Sequence, residues 1–66
     1  MDSFGILVSL WTNGIKDTEK YERVLDTLVF NMEPLDKDEV ESIRTICEEI
    51  GVNAESFYEL YYQNLP

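Results

Sequence analysis

The sequence contains no histidine and a single cysteine, Cys47. A lone cysteine forms no internal disulfide, and without histidine it does not complete a zinc site. The same lack removes the imidazole that would activate a thiol for nucleophilic catalysis. Cys47 falls on an apolar stripe between Ile43 and Ile50, so we interpret it as a core residue. The sequence therefore predicts no enzyme, no metal site and no cofactor, and the unpaired cysteine favours the cytoplasm.

Glycine-rich loops and long apolar runs are also missing. The three glycines are scattered at positions 5, 14 and 51, so no phosphate-binding loop is present. The apolar segment at residues 4–11 is too short to span a membrane, and it lacks the basic leader of a secretory signal. The acidic cluster from Asp36 to Glu39 lacks the turn glycine and the distal glutamate of a calcium loop. We expect neither membrane insertion nor calcium binding.

Basic residues are scarce, with five Lys and Arg against fourteen Asp and Glu and a net charge of −9. Nucleic-acid affinity depends largely on basic side chains that neutralise phosphates, so we expect no direct nucleic-acid binding. The same field attracts basic surfaces and speeds association with them, although it also serves plain solubility. Nine of the acidic residues follow position 30, against only Lys37 and Arg44. A basic protein partner is the first expectation.

Apolar residues make up 44% of the chain, and eight residues are aromatic, which is too rich for a disordered protein. A chain of 66 residues has room for one small domain with a thin core. Chains of this size often gain stability from oligomerisation, so a homodimer stays open.

The spacing of apolar residues predicts an all-α fold, a compact bundle or array of four short helices. Their expected bounds are about 3–13, 17–31, 36–50 and 53–64. The first helix is the least certain, because residues 6–10 are also compatible with a buried strand followed by an Asn13-Gly14 turn. Read as a helix, it has an apolar stripe formed by Phe4, Ile6, Leu7, Val8, Leu10 and Trp11.

Local signals delimit the other three helices. Asp17 or Thr18 caps the second, and its apolar face comprises Tyr21, Val24, Leu25, Leu28, Val29 and Met32. Asp36 and Glu39 form a capping box for the third helix, and Gly51 ends it in the left-handed conformation. Asn53 caps the fourth, whose inner face comprises Ala54, Phe57, Leu60, Tyr61 and Leu65.

The fourth helix also carries the candidate interface. Tyr58 and Tyr62 are four residues apart beside Glu55 and Glu59, which predicts a row of tyrosines and carboxylates on one face. Tyrosine is enriched at binding hot spots because it buries a large area and keeps a polar tip. The alternative is that the tyrosines only cover the edge of the core. Phe30 is a second candidate contact, because it falls on the polar side of the second helix.

The leading hypothesis is an acidic protein-protein interaction module, a regulator or inhibitor that docks on a basic partner. The alternatives are a DNA mimic whose carboxylates imitate phosphates, and a self-associating structural subunit. No motif of a known family is identified. In its general character, a tiny acidic helical chain with tyrosines beside carboxylates, the protein resembles bacteriocin immunity proteins and phage-encoded inhibitors, which favours an inhibitor from a phage or other mobile element.

Overall fold

The computed structural model describes residues 2–63, and these form four helices without any strand. The helices are α1 (Ser3–Thr12), α2 (Thr18–Asn31), α3 (Lys37–Ile50) and α4 (Glu55–Gln63). The four-helix prediction is confirmed, and the observed bounds that can be compared lie within two residues of those expected. The expected end of the fourth helix at residue 64, and Leu65 on its inner face, lie outside the described residues.

Aspartate side chains cap the first three helices. The Asp2 carboxylate accepts a hydrogen bond from the Gly5 N–H at 2.7 Å, and the Asp17 carboxylate accepts one from the Glu19 N–H at 3.1 Å. Asp36 begins α3 with the predicted capping box. These bonds satisfy donors that a helix start leaves unpaired, and the negative charges face the positive end of the helix dipole.

The strand alternative for residues 6–10 is wrong. Gly14 adopts the left-handed conformation, with φ of 73°, and the Ile15 N–H donates to the Leu10 carbonyl at 3.0 Å. This bond closes the last turn of α1 in the way that glycine-terminated helices usually end. A start capped by aspartate and an end at Gly14 leave a ten-residue helix.

Three apolar residues placed on the predicted stripes are exposed in the structure. Met32 is 69% exposed, because α2 ends at Asn31 and Met32 turns out of the helical path with a left-handed φ of 49°. Ile6 and Trp11 are each 38% exposed. Ile6 lies on one flank of the α1 stripe, whereas Trp11 lies in its last turn, at the surface beside Glu49 of α3.

The core lies between the four helices and contains one residue of α1, three of α2, four of α3 and two of α4. Leu7 is fully buried, and Cys47 is 1% exposed as the sequence predicts for a core residue. The radius of gyration of 10.8 Å equals the value of about 11 Å expected for a folded chain of this length. The buried cluster comprises Leu7, Tyr21, Leu25, Leu28, Val40, Ile43, Ile46, Cys47, Ala54, Phe57 and Tyr61.

Polar side chains join segments that are distant in sequence. The Tyr61 hydroxyl donates to the carbonyls of Leu28 and Glu33, at 3.2 Å and 2.5 Å, and so ties α4 to the end of α2. The Glu33 carboxylate accepts from the Ser3 hydroxyl at 2.6 Å, which fixes the start of α1 against the α2–α3 connection. Within the described part of the chain, no helix is both long and apolar enough to cross a membrane.

Candidate protein interface

Four of the five predicted interface residues share one face of α4. Asn53 accepts a hydrogen bond from the Glu55 N–H at 3.3 Å and so orders the approach to the helix. From Glu55, the positions three, four and seven residues later carry Tyr58, Glu59 and Tyr62, which helical geometry aligns along one side. We call these four residues the tyrosine–carboxylate ridge.

The two tyrosines of the ridge differ in exposure. Their ring centroids are 5.5 Å apart with an interplanar angle of 31°. The Tyr58 ring also meets the edge of Phe57, at 5.6 Å and 66°, and packs against the core cluster. Tyr62 is 37% exposed. Offset and edge-on aromatic pairs are mutually attractive, so Tyr58 holds the exposed Tyr62 ring against the body of the protein.

The polar tip of Tyr58 points inward. Its hydroxyl oxygen is buried beside the Cys47 thiol and makes no hydrogen bond of regular geometry. Burial raises the pKa of Tyr58 to about 12 and the pKa of Cys47 to about 11, because each loses hydration that would stabilise its charged form. Both groups are therefore neutral near pH 7. The sequence-based alternative, a tyrosine covering the core edge, describes Tyr58 better than Tyr62.

Helix α3 contributes charged residues beside the ridge. The Arg44 guanidinium donates to the Glu48 carboxylate at 2.8 Å, and Glu41 lies 4.0 Å away on the other side. Hydrogen bonding to Glu48 and then to Tyr62 raises the pKa of Arg44 above its ordinary value. Arg44 was not predicted as part of the interface, although its spacing to Glu48 indicates the ion pair. Its positive charge is already matched by two carboxylates.

Phe30, the fifth predicted contact, is not part of the ridge. It is 87% exposed on the outward face of α2, two helical turns beyond Arg23, which pairs with Glu19 at 2.8 Å. Among residues 2–63 the aromatic pairs all belong to α4, and none includes Phe30. The exposure that the sequence predicts is confirmed, and the contact role stays a prediction.

Searches for metal sites and relatives found nothing that assigns a function. Across the described residues, no group of three or more cysteine or acidic side chains is arranged to hold a metal ion. No protein-family model, no curated protein and no solved structure matches the chain.

Proposed function

We propose that this chain is a non-catalytic interaction module of the cytoplasm, a regulator or inhibitor that binds a basic protein through the tyrosine–carboxylate ridge. The observation that carries the proposal is the Tyr58–Tyr62 pair, in which one ring is held by the core and the other is exposed among carboxylates. An ordered aromatic ring loses little conformational freedom when a partner covers it.

The charges around the ridge indicate the chemistry of the partner. Glu55 and Glu59 are exposed and have no basic partner among the described ion pairs, whereas Arg44 is held between Glu41 and Glu48. The field at this face is therefore negative and free to attract Lys and Arg. Such complementarity increases association rates and selects against acidic partners.

The experiment begins with affinity capture of partners from a lysate at low salt, after nuclease treatment, followed by purification of the captured basic protein. Its affinity is then measured for wild type and for Tyr62→Ala. We expect Tyr62→Ala to weaken binding by about 2 kcal/mol with an unchanged helical circular dichroism signal. Tyr58 is a poorer test, because its ring packs on Phe57 and the core.

Two further variants locate the contact. Exchange of Glu55 and Glu59 for Gln should slow association and reduce its salt dependence, because the steering charge is lost. Phe30→Ala is the matched aromatic change on another face. A loss of affinity with Phe30→Ala and none with Tyr62→Ala would place the partner on α2 and refute the ridge.

The same measurements separate the two alternatives. A DNA mimic would be displaced from its partner by duplex DNA, and the binding would weaken steeply with salt. A self-associating subunit would sediment as a dimer, with Phe30 and Met32, 87% and 69% exposed, as the apolar residues available for burial. A monomer whose complex resists competition by DNA supports the leading proposal.

A further inference from the structure

A second surface lies between α1 and α3, on the other side of α3 from the ridge. It is an open groove of about 400 Å³, lined by apolar side chains of α1 and the less polar side of α3. A smaller depression of about 240 Å³ also borders Trp11 and is lined by Gly14, Ile15, Lys16, Glu49 and Ile50. The lining of the larger part comprises Phe4, Val8, Trp11, Ser42, Thr45 and Ile46.

Trp11 gives this groove a fixed apolar wall. Its indole N–H donates to the Glu49 carboxylate at 2.8 Å, which joins α1 to α3 at the surface. The bond satisfies the only polar group of the indole, so the exposed part of this residue, which is 38% exposed, offers mainly ring carbon. Tryptophan in such a position is among the residue types most enriched at binding hot spots.

The far wall of the groove is formed by Ser42 and Thr45 of α3, and an acidic residue lies one turn beyond each of them on the same side of the helix. Asp38, Ser42, Thr45 and Glu49 follow one another at four, three and four residues, and all are exposed. Helical geometry places them along one side of α3 over about 16 Å. Small hydroxyl side chains leave the middle of the groove accessible, and a carboxylate stands at each end.

We propose that this groove binds an amphipathic basic helix of a partner protein, about three turns long. Its apolar row would contact Phe4, Val8 and Trp11, and its Lys or Arg residues would face the Asp38 and Glu49 ends. Charge decides against a second copy as the occupant, because each copy carries −9. The groove is too open for an enclosed small ligand, and its wall has no convergent buried polar groups.

The test uses a synthetic peptide of about 18 residues, built from Leu, Lys and Gln, with Leu at helical i, i+3, i+4 and i+7 spacing. Trp11 is the only tryptophan, so its fluorescence reports binding at the groove itself. We expect a saturable change in emission. A peptide of the same composition with the leucines scattered around the helix should bind at least about tenfold more weakly, since it keeps the charge and loses the apolar row.

A matched pair of variants locates the site. Thr45→Lys places a long cation in the groove, whereas Thr27→Lys makes the same charge change on the outward face of α2. In both threonines the hydroxyl donates to the carbonyl four residues earlier, at 3.1 Å and 3.0 Å, so the two changes remove the same kind of local hydrogen bond. Thr45→Lys should raise the peptide Kd about tenfold, and Thr27→Lys less than about twofold.

Three outcomes would overturn the proposal: no saturable binding below about 1 mM, equal binding of the scattered peptide, or equal effects of the two lysine variants. The inference does not rest on the ridge. Tyr62→Ala should leave peptide binding unchanged, so the proposal for the groove and the proposal for the ridge are tested independently. If Tyr62→Ala abolishes the fluorescence response instead, the peptide binds the ridge and the groove is not its site.

Discussion

Two pairs of packed helices, α2 with α4 and α1 with α3, are each joined by an aromatic residue that carries a polar group. We call these contacts the α2–α4 seam and the α1–α3 seam, and the aromatic residue is buried in the first and exposed in the second. Across the first, the Tyr61 ring is 9% exposed and its hydroxyl reaches two carbonyls at the end of α2. Across the second, the Trp11 indole remains 38% exposed and reaches the surface carboxylate of Glu49. When the polar group of an aromatic residue bonds to buried carbonyls, its ring packs in the core. When the polar group bonds to a carboxylate at the surface, the ring stays partly exposed and a groove remains beside it.

Tyr58 is a third case, between α3 and α4. Its ring packs on Phe57 and its hydroxyl is buried without a regular hydrogen bond. The three aromatic residues thus differ in what the polar tip contacts: carbonyls for Tyr61, a carboxylate for Trp11, and a thiol environment for Tyr58. Removing each polar group in a separate variant tests whether its contact determines how much the helix pair contributes to the free energy of unfolding.

The largest effect is expected at the closed seam. Tyr61→Phe should lower the free energy of unfolding by about 2 kcal/mol, because it removes the hydroxyl proton that the Leu28 and Glu33 carbonyls share and leaves the Glu33 carbonyl without this donor. Urea unfolding followed by circular dichroism measures the change. Tyr62→Phe is the control on the next residue, with an expected change within about 0.5 kcal/mol. Equal effects of the two variants would contradict the role assigned to the Tyr61 hydroxyl.

A change of opposite sign is expected at Tyr58. Tyr58→Phe removes a buried hydroxyl that lacks a regular hydrogen bond and keeps the ring contacts, so it should stabilise the protein by about 1 kcal/mol. The same urea measurement tests it. A clear loss of stability would mean that the contact with the Cys47 thiol is worth more than the desolvation of the hydroxyl.

The pH dependence of stability in the alkaline range follows from Tyr58 and Cys47. Burial raises the pKa of Cys47 from 9.0 to about 11 and that of Tyr58 from 10.0 to about 12, so the unfolded chain releases these protons first. The contribution of neutral Cys47 and Tyr58 to the free energy of unfolding is fully present below about pH 9, and it is lost as pH rises through 11 and 12. Unfolding at several pH values should give a shallower alkaline decline for Tyr58→Phe than for wild type. An identical decline would exclude Tyr58 as a source.

The smallest effect is expected at the open seam. A double-mutant cycle with Trp11→Phe and Glu49→Ala should give a coupling energy of about 0.5 kcal/mol, because the bond is exposed and competes with water. Unfolding in urea gives the four free energies. A coupling energy as large as the stability loss in Tyr61→Phe would mean that the exposed Trp11–Glu49 bond stabilises the protein as much as the buried Tyr61 hydroxyl. That result would contradict the difference between the two seams.

The candidate interface was partly accessible to sequence reasoning. Helical spacing alone aligns Tyr58 with Tyr62 and predicts that Phe30 points away from the core, and the structure agrees with both. Spacing does not show that the Tyr58 hydroxyl turns inward or that Arg44 of α3 lies beside Tyr62. Those facts depend on how α3 and α4 are packed against each other.

Local sequence signals predicted where the helices begin and where α3 ends, because aspartate caps, the capping box of α3 and the left-handed Gly51 act within a few residues of a helix end. The packing of the helices against one another set which parts of each apolar stripe are covered. It exposed Met32 and Trp11, and it paired Ser3 with Glu33 and Trp11 with Glu49 across 30 and 38 residues. Periodicity fixes the face of a helix, whereas the packing of neighbouring helices fixes how much of that face is buried.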